Sequence, residues 1–237
     1  MADERRTVVI ETVDQLMHPQ TRRDFLRLAA LGGVAVLLPG LFAACADDEA
    51  RAGAFTLDLG KEVGYLQYAH ALEQLEAAFY LAAVRSPYAG ITAAETAILA
   101  DIRNHEVIHR ESLAAILGEN AVPDLAVSLG SIDFSVRTNA STGVLDAAKM
   151  FEDTGVGAYN GAGRFLTTPE RLVLAGKIAS VEARHAAVIR DLLDVTGLAF
   201  AGDDVVDENG LDLALDVRTE VLPAIDPFIV TAITVPS

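Results

Sequence analysis

Cysteine, tryptophan and positive charge are scarce in this sequence, and each shortage closes off a class of protein. The single cysteine, Cys45, cannot form an internal disulfide, so the chain is not a disulfide-stapled scaffold. Only 18 Lys and Arg stand against 34 Asp and Glu, a formal charge of −16. Nucleic acid is therefore excluded as a partner, because phosphate binding needs clustered cations. An anionic membrane surface is equally unsuited to the main domain. There is no Trp, and aromatic residues make up 6 % of a chain that is 51 % hydrophobic and rich in alanine. Closely packed helices suit that composition better than a β-sandwich. At 237 residues, one domain plus a leader can bury its own core.

The leader is residues 1–45. Thr21-Arg-Arg-Asp-Phe-Leu-Arg27 precedes an apolar run, residues 28–44, broken by Gly32, Gly33, Pro39 and Gly40. Paired arginines before a modest, interrupted apolar run resemble a twin-arginine export signal. The rival reading is an uncut membrane anchor. Both put the main domain outside the cytoplasm, in the periplasm or at the outer face of the membrane. Cys45, closing Leu41-Phe-Ala-Ala-Cys45, resembles a lipoprotein attachment site, although Phe42 stands where a smaller aliphatic residue is usual. Lipidation there would tether the domain to a membrane; peptidase cleavage near Ala44 is the alternative. Residues 46–60 read as a linker.

Two Glu-x-x-His pairs dominate the rest: Glu106 with His109, and Glu182 with His185. On a helix, residues three apart point about 60° from each other, so each pair aims a carboxylate and an imidazole the same way. Each pair has a partner segment upstream. Glu73 is followed seven residues later by Tyr80, and Glu152 by Tyr159, each Tyr about two turns along the same stripe. The half-motif Glu…Tyr…Glu-x-x-His thus occurs twice, an internal repeat at low identity.

Helical periodicity predicts four long helices. The first covers residues 61–84 and carries Glu73. The second starts with the capping box of Thr92 and Glu95, carries Glu106 and His109, and stops at Gly118. Residues 118–141, with Pro123 and Gly130, hold no convincing helix. A loop that long needs a reason, and a crossover between helices two and three supplies one. The third helix, residues 142–166, carries Glu152 despite four glycines, which implies either close approach by a neighbour or a kink near Gly155. The fourth begins at Pro169 and carries Glu182 and His185. Residues 197–237 read as a tail with one short helix packed on the bundle. The fold class is an all-α four-helix bundle, residues 61–196, with a long crossover between helices two and three.

Four glutamates and two histidines turned into one core would be costly to bury unless divalent cations compensated them. Four carboxylates against two M²⁺ ions leave a neutral site, and this donor set suits iron or manganese; zinc would also bind. The opposing reading is a set of solvated helix charges paired with Arg103, Arg110, Arg184 and Arg190. Glu76 competes with Glu73 as the first ligand, but its counterpart in the second repeat is Gly155, so only Glu73 fits the repeat. Tyr80 and Tyr159 are either hydrogen-bond donors to carboxylates or core aromatics, with the second reading preferred. His70 and His105 are taken as spectators.

These residues resemble the ferritin-like superfamily. The nearest group is the desiccation-related ferritin-like-domain family, on Leu72-Glu-Gln-Leu-Glu-Ala-Ala-Phe-Tyr80, Glu106-Val-Ile-His109, Phe151-Glu-Asp-Thr-Gly-Val-Gly-Ala-Tyr159 and Glu182-Ala-Arg-His185. The resemblance implies a dimetal bundle with ligands Glu73, Glu106, His109, Glu152, Glu182 and His185. Relatives of this architecture include ferroxidases, manganese catalases, rubrerythrins and oxygenases. No Cys-x-x-Cys pair is present, so a rubredoxin module is excluded. The expected function is an exported protein holding two divalent ions, iron or manganese, that oxidises Fe²⁺ or handles O₂ or peroxide. A non-catalytic module for stress protection or scaffolding of the envelope is the alternative, and assembly into an oligomer stays open.

Overall fold

The computed structural model describes residues 54–194 and 196–236, and the export signal and Cys45 lie outside them. The chain there is all-α, with four long helices: α1 (Glu62–Arg85), α2 (Ala93–Leu117), α3 (Val144–Gly163) and α4 (Pro169–Leu193). α1 packs on α2 and α3 on α4, forming two helical hairpins. Among the described residues, no helix is long and apolar enough to cross a membrane.

Each hairpin starts its second helix on a carboxylate. At α2 the capping box is formed: Glu95 N donates to Thr92 Oγ1 at 3.1 Å and Thr92 N to Glu95 Oε2 at 2.9 Å. Gly118, at φ 54°, ends that helix in a conformation that a side chain would strain. At α4 the cap residue Thr168 makes no cap with its own side chain. Instead Glu62, in the first turn of α1, accepts from Thr168 N and Oγ1 and from Arg171, each at 2.8 Å. That carboxylate clamps the two hairpins together.

The crossover between α2 and α3 lies against α1, held by two polar side chains one turn apart. Val122 N donates to His70 Nδ1 at 3.2 Å, and Leu125 N donates to Gln74 Oε1 at 2.8 Å. His70 is thus a structural acceptor, as a spectator to the site would be. The β-prone piece around Ile132 forms turns, with one isolated bridge from Asp133 to Gly143.

After α4 the chain returns over the bundle. Val217, Val221 and Ile225 are buried around a short helix, α5 (Leu222–Ile225). A two-residue strand, β1 (Phe55–Thr56), pairs in parallel with β2 (Ile233–Thr234), Phe55 opposite Ile233. Within the stretch read as a linker, Leu57 and Leu59 are buried. Three of the four glycines of α3, Gly155, Gly157 and Gly161, admit close neighbours, and the helix runs through them unbroken. A side chain at Gly157 or Gly161 would strike Leu215 of the returning tail, whose N–H donates to the Gly157 carbonyl at 2.9 Å.

Candidate metal centre

The six residues singled out by the repeat meet in the middle of the bundle. Glu73 comes from α1, Glu106 and His109 from α2, Glu152 from α3, and Glu182 and His185 from α4. All four carboxylates have zero exposure, and the two imidazoles are buried. They form two overlapping groups, Glu73–Glu106–His109–Glu182 and Glu106–Glu152–Glu182–His185. Within each group the donor atoms lie within 4.8 Å of one another, so each group can hold a metal ion. Glu106 and Glu182 belong to both groups and stand between them.

The geometry repeats across the pair. His109 Nδ1 lies 2.9 Å from Glu182, 3.3 Å from Glu73 and 3.6 Å from Glu106. His185 Nδ1 lies 2.8 Å from Glu106, 3.4 Å from Glu152 and 3.8 Å from Glu182. Each imidazole therefore sits closest to the shared carboxylate carried by the other hairpin.

The solvated-charge reading fails on the same contacts. Among the described residues, no lysine or arginine pairs with any of the six. Arg110 bonds Glu111, Arg103 bonds Asn104, and Arg190 is buried against Asp153 and Asp204. What remains at the centre is a set of orphaned polar atoms. Glu73 Oε2, Glu152 Oε2, both oxygens of Glu106 and of Glu182, and both histidine Nδ1 atoms are buried without a well-formed hydrogen bond. Buried groups of this kind are normally satisfied. A pair of cations would satisfy all of them together, so the residues present fit a dimetal site.

Both tyrosines correct the preference for plain core aromatics. Tyr80 donates to Glu152 Oε1, and Tyr159 donates to Glu73 Oε1 at 2.5 Å. Each reaches across to the glutamate of the other repeat. That leaves each terminal glutamate one free oxygen, facing inward. The signal was in the sequence as the doubled seven-residue spacing, but spacing alone could not show the exchange.

His105 is not a spectator. Its Nδ1 lies 2.9 Å from His185 Nε2, with the two rings stacked at 7°. His185 turns Nδ1 to the carboxylates; with a metal on Nδ1, Nε2 would carry the proton and donate to His105, which holds the ring plane. His105 itself is exposed, linking a buried imidazole to solvent.

The electrostatics are those of crowded anions. Burial, with Glu182 and Glu106 close by, pushes the Glu76 carboxyl well above its ordinary range, and burial with Glu182 does the same to Glu106. Burial raises Glu152 to about 7. Glu182 is held at about 2 despite its burial, by the His109 and His185 imidazoles close beside it. Both imidazoles overcome burial and are raised, by Glu73 for His109 and by Glu106 for His185, the latter to about 12. Without metal, the histidines supply the positive charge that the carboxylates need.

A model of the ferritin-like domain family matches residues 61–195, more than half of the chain. No curated protein matches the sequence.

Proposed function

For a chain that belongs to the ferritin-like domain family, we propose a dimetal-carboxylate protein that uses iron or manganese to oxidise Fe²⁺ or to reduce O₂ or peroxide. The observation that carries this reading is the pair of overlapping buried groups with two glutamates in common. Glu106 and Glu182 would hold a pair of cations between the two groups, and Tyr80 and Tyr159 already occupy one oxygen each of Glu152 and Glu73. Redox-active ions bound there would supply electrons to O₂ or peroxide; taking peroxide to two waters needs two electrons and two protons.

The chain's own residues prepare that chemistry. Glu106 and Glu182, each with both oxygens free, would be able to shift toward one ion or the other without breaking a protein hydrogen bond. Tyr159 and Tyr80 hold Glu73 and Glu152 in place through one oxygen each and leave the other to a metal. His105 orients His185 and connects it to the surface. Oxygen-rich donors with two imidazoles favour iron and manganese over softer ions.

We further assign the chain to the desiccation-related group, exported by the twin-arginine route, on the motifs around Glu73 and Glu152 and the arginine pair at Arg22. A tether at Cys45 belongs to the same reading. The test is an anaerobic titration of the metal-free protein with Fe²⁺ or Mn²⁺, followed by an assay for Fe²⁺ oxidation or peroxide loss. About two ions per chain, with turnover that E106A abolishes, is the expected result. Uptake of neither ion sinks the dimetal reading, and two ions with no turnover in either protein favours the scaffold alternative.

A further inference from the structure

The repeat that aligns Glu73 with Glu152 and Tyr80 with Tyr159 also aligns Glu76 with Gly155, and here the two halves part. Glu76 is only 2 % exposed, in the core beside the metal-ligating carboxylates. A Cβ placed on Gly155 would lie 2.9 Å from Glu76 Oε1 and 3.6 Å from Glu182 Oε2. The missing side chain on α3 is therefore the space that the Glu76 carboxylate fills from α1. Glu76 Oε2 is buried with no hydrogen-bond partner, although a buried carboxylate oxygen is costly to leave unpaired. No lysine or arginine pairs with it among the described residues. The position is one-sided: of the two oxygens of Glu182, Oε1 faces His109 and Oε2 faces His185. The notch at Gly155 thus opens beside Glu182 Oε2, the oxygen of that shared carboxylate that lies nearer His185.

We propose that Glu76 is a seventh metal-binding side chain, admitted by Gly155, that coordinates the ion of the His185 half and leaves the His109 half with its smaller donor set. The inference rests on the dimetal reading and goes beyond it, because the symmetric repeat assigns no role to Glu76. A rotation of the carboxylate toward Glu182 turns an unpaired buried oxygen into a ligand. The two ions then differ in donor number and charge compensation, so they bind with different affinities.

The test is Mn²⁺ binding by the full chain, read from the loss of the free-ion electron paramagnetic resonance signal. E73A leaves only the His185 group intact, and E152A leaves only the His109 group. Adding E76Q should weaken Mn²⁺ binding about 10- to 100-fold in the E73A protein, the loss usual for a lost supporting group at a metal site, and less than about twofold in the E152A protein. E76D keeps the charge but withdraws the carboxylate, and should behave as E76Q does. Equal losses in both backgrounds, no loss in either, or full affinity in E76D would each overturn the ligand role while leaving two ions per wild-type chain. A wild-type chain that takes up no Mn²⁺ would instead overturn the dimetal reading. E76Q is isosteric and removes a buried charge, so it should fold, and thermal unfolding of the metal-free variants checks this.

Discussion

The two helical hairpins carry the same side chains at the centre and different ones around it. Glu73, Tyr80, Glu106 and His109 in the first match Glu152, Tyr159, Glu182 and His185 in the second, and the two tyrosines cross between hairpins in the same way. Two departures lie beside the centre, and in both the added polar side chain is in the first hairpin. Glu76 faces Gly155, and His105, four residues before His109, is matched by Val181, four before His185. His105 supports His185, whereas Val181 has no polar atom to offer His109. Both departures therefore act on the His185 half. The frame for two cations is symmetric because the repeat is. The surroundings make the two positions unequal.

The largest effect should come from the residues that the halves have in common. E106A or E182A should lower metal uptake from about two ions per chain to near zero and remove any metal-induced rise in Tm. E73A and E152A should each leave about one ion, and loss of both ions from either would mean that the halves do not load separately. Next in size is the test of inequality. H105A should weaken one of the two ions about 10-fold or more, while V181A should weaken neither, as stepwise metal titration will show. Then come the crossed tyrosines: Y80F and Y159F should each destabilise the metal-free fold by about 1–3 kcal/mol, by similar amounts, in denaturant unfolding. Unequal costs would show that the asymmetry extends to the outer glutamates.

The smallest effect concerns how each hairpin starts its second helix. Hydrogen bonds hold the Glu95 carboxylate at about 2, with Arg137 and the Thr92 cap overcoming the cost of burial. Glu62 is lowered likewise, through Thr168 and Arg171 against its own burial. Both folded values lie below the unfolded one, so each stabilises the fold above the unfolded glutamate value and is lost as pH falls through the folded value. Acid unfolding of E95Q should therefore lose part of its pH dependence between about pH 4.5 and about pH 2. E62Q should likewise lose part of its pH dependence below the unfolded glutamate value. It should also loosen the contact between hairpins, detectable as faster amide exchange at the start of α4.

Much of this was legible before any coordinates. The capping box at Thr92, the stop at Gly118 and the proline start of α4 are local signals, each set by hydrogen bonds within a few residues. The doubled Glu-x-x-His and its upstream glutamates name the buried centre because helical spacing is rigid. His105 looks like a spectator in the sequence because its partner lies 80 residues away on another helix, and a lone histidine at a helix surface looks the same with or without one. Reading the tyrosines as core aromatics failed for a like reason, since each bonds the glutamate of the opposite hairpin. The glycines of α3 were understood in kind, as sites of close approach, but their neighbours were not: one is a carboxylate, and two more face the tail at Leu215.

The order of residues along the chain determined four helices, their ends and the six donors, because turn-by-turn periodicity and capping act over a few residues. Which oxygen faces which nitrogen was decided only by packing. So were the sharing of two glutamates between the halves and the entry of Glu76 beside Gly155. The helix that supplies each group is fixed locally, but the angle and depth at which helices meet depend on every side chain between them.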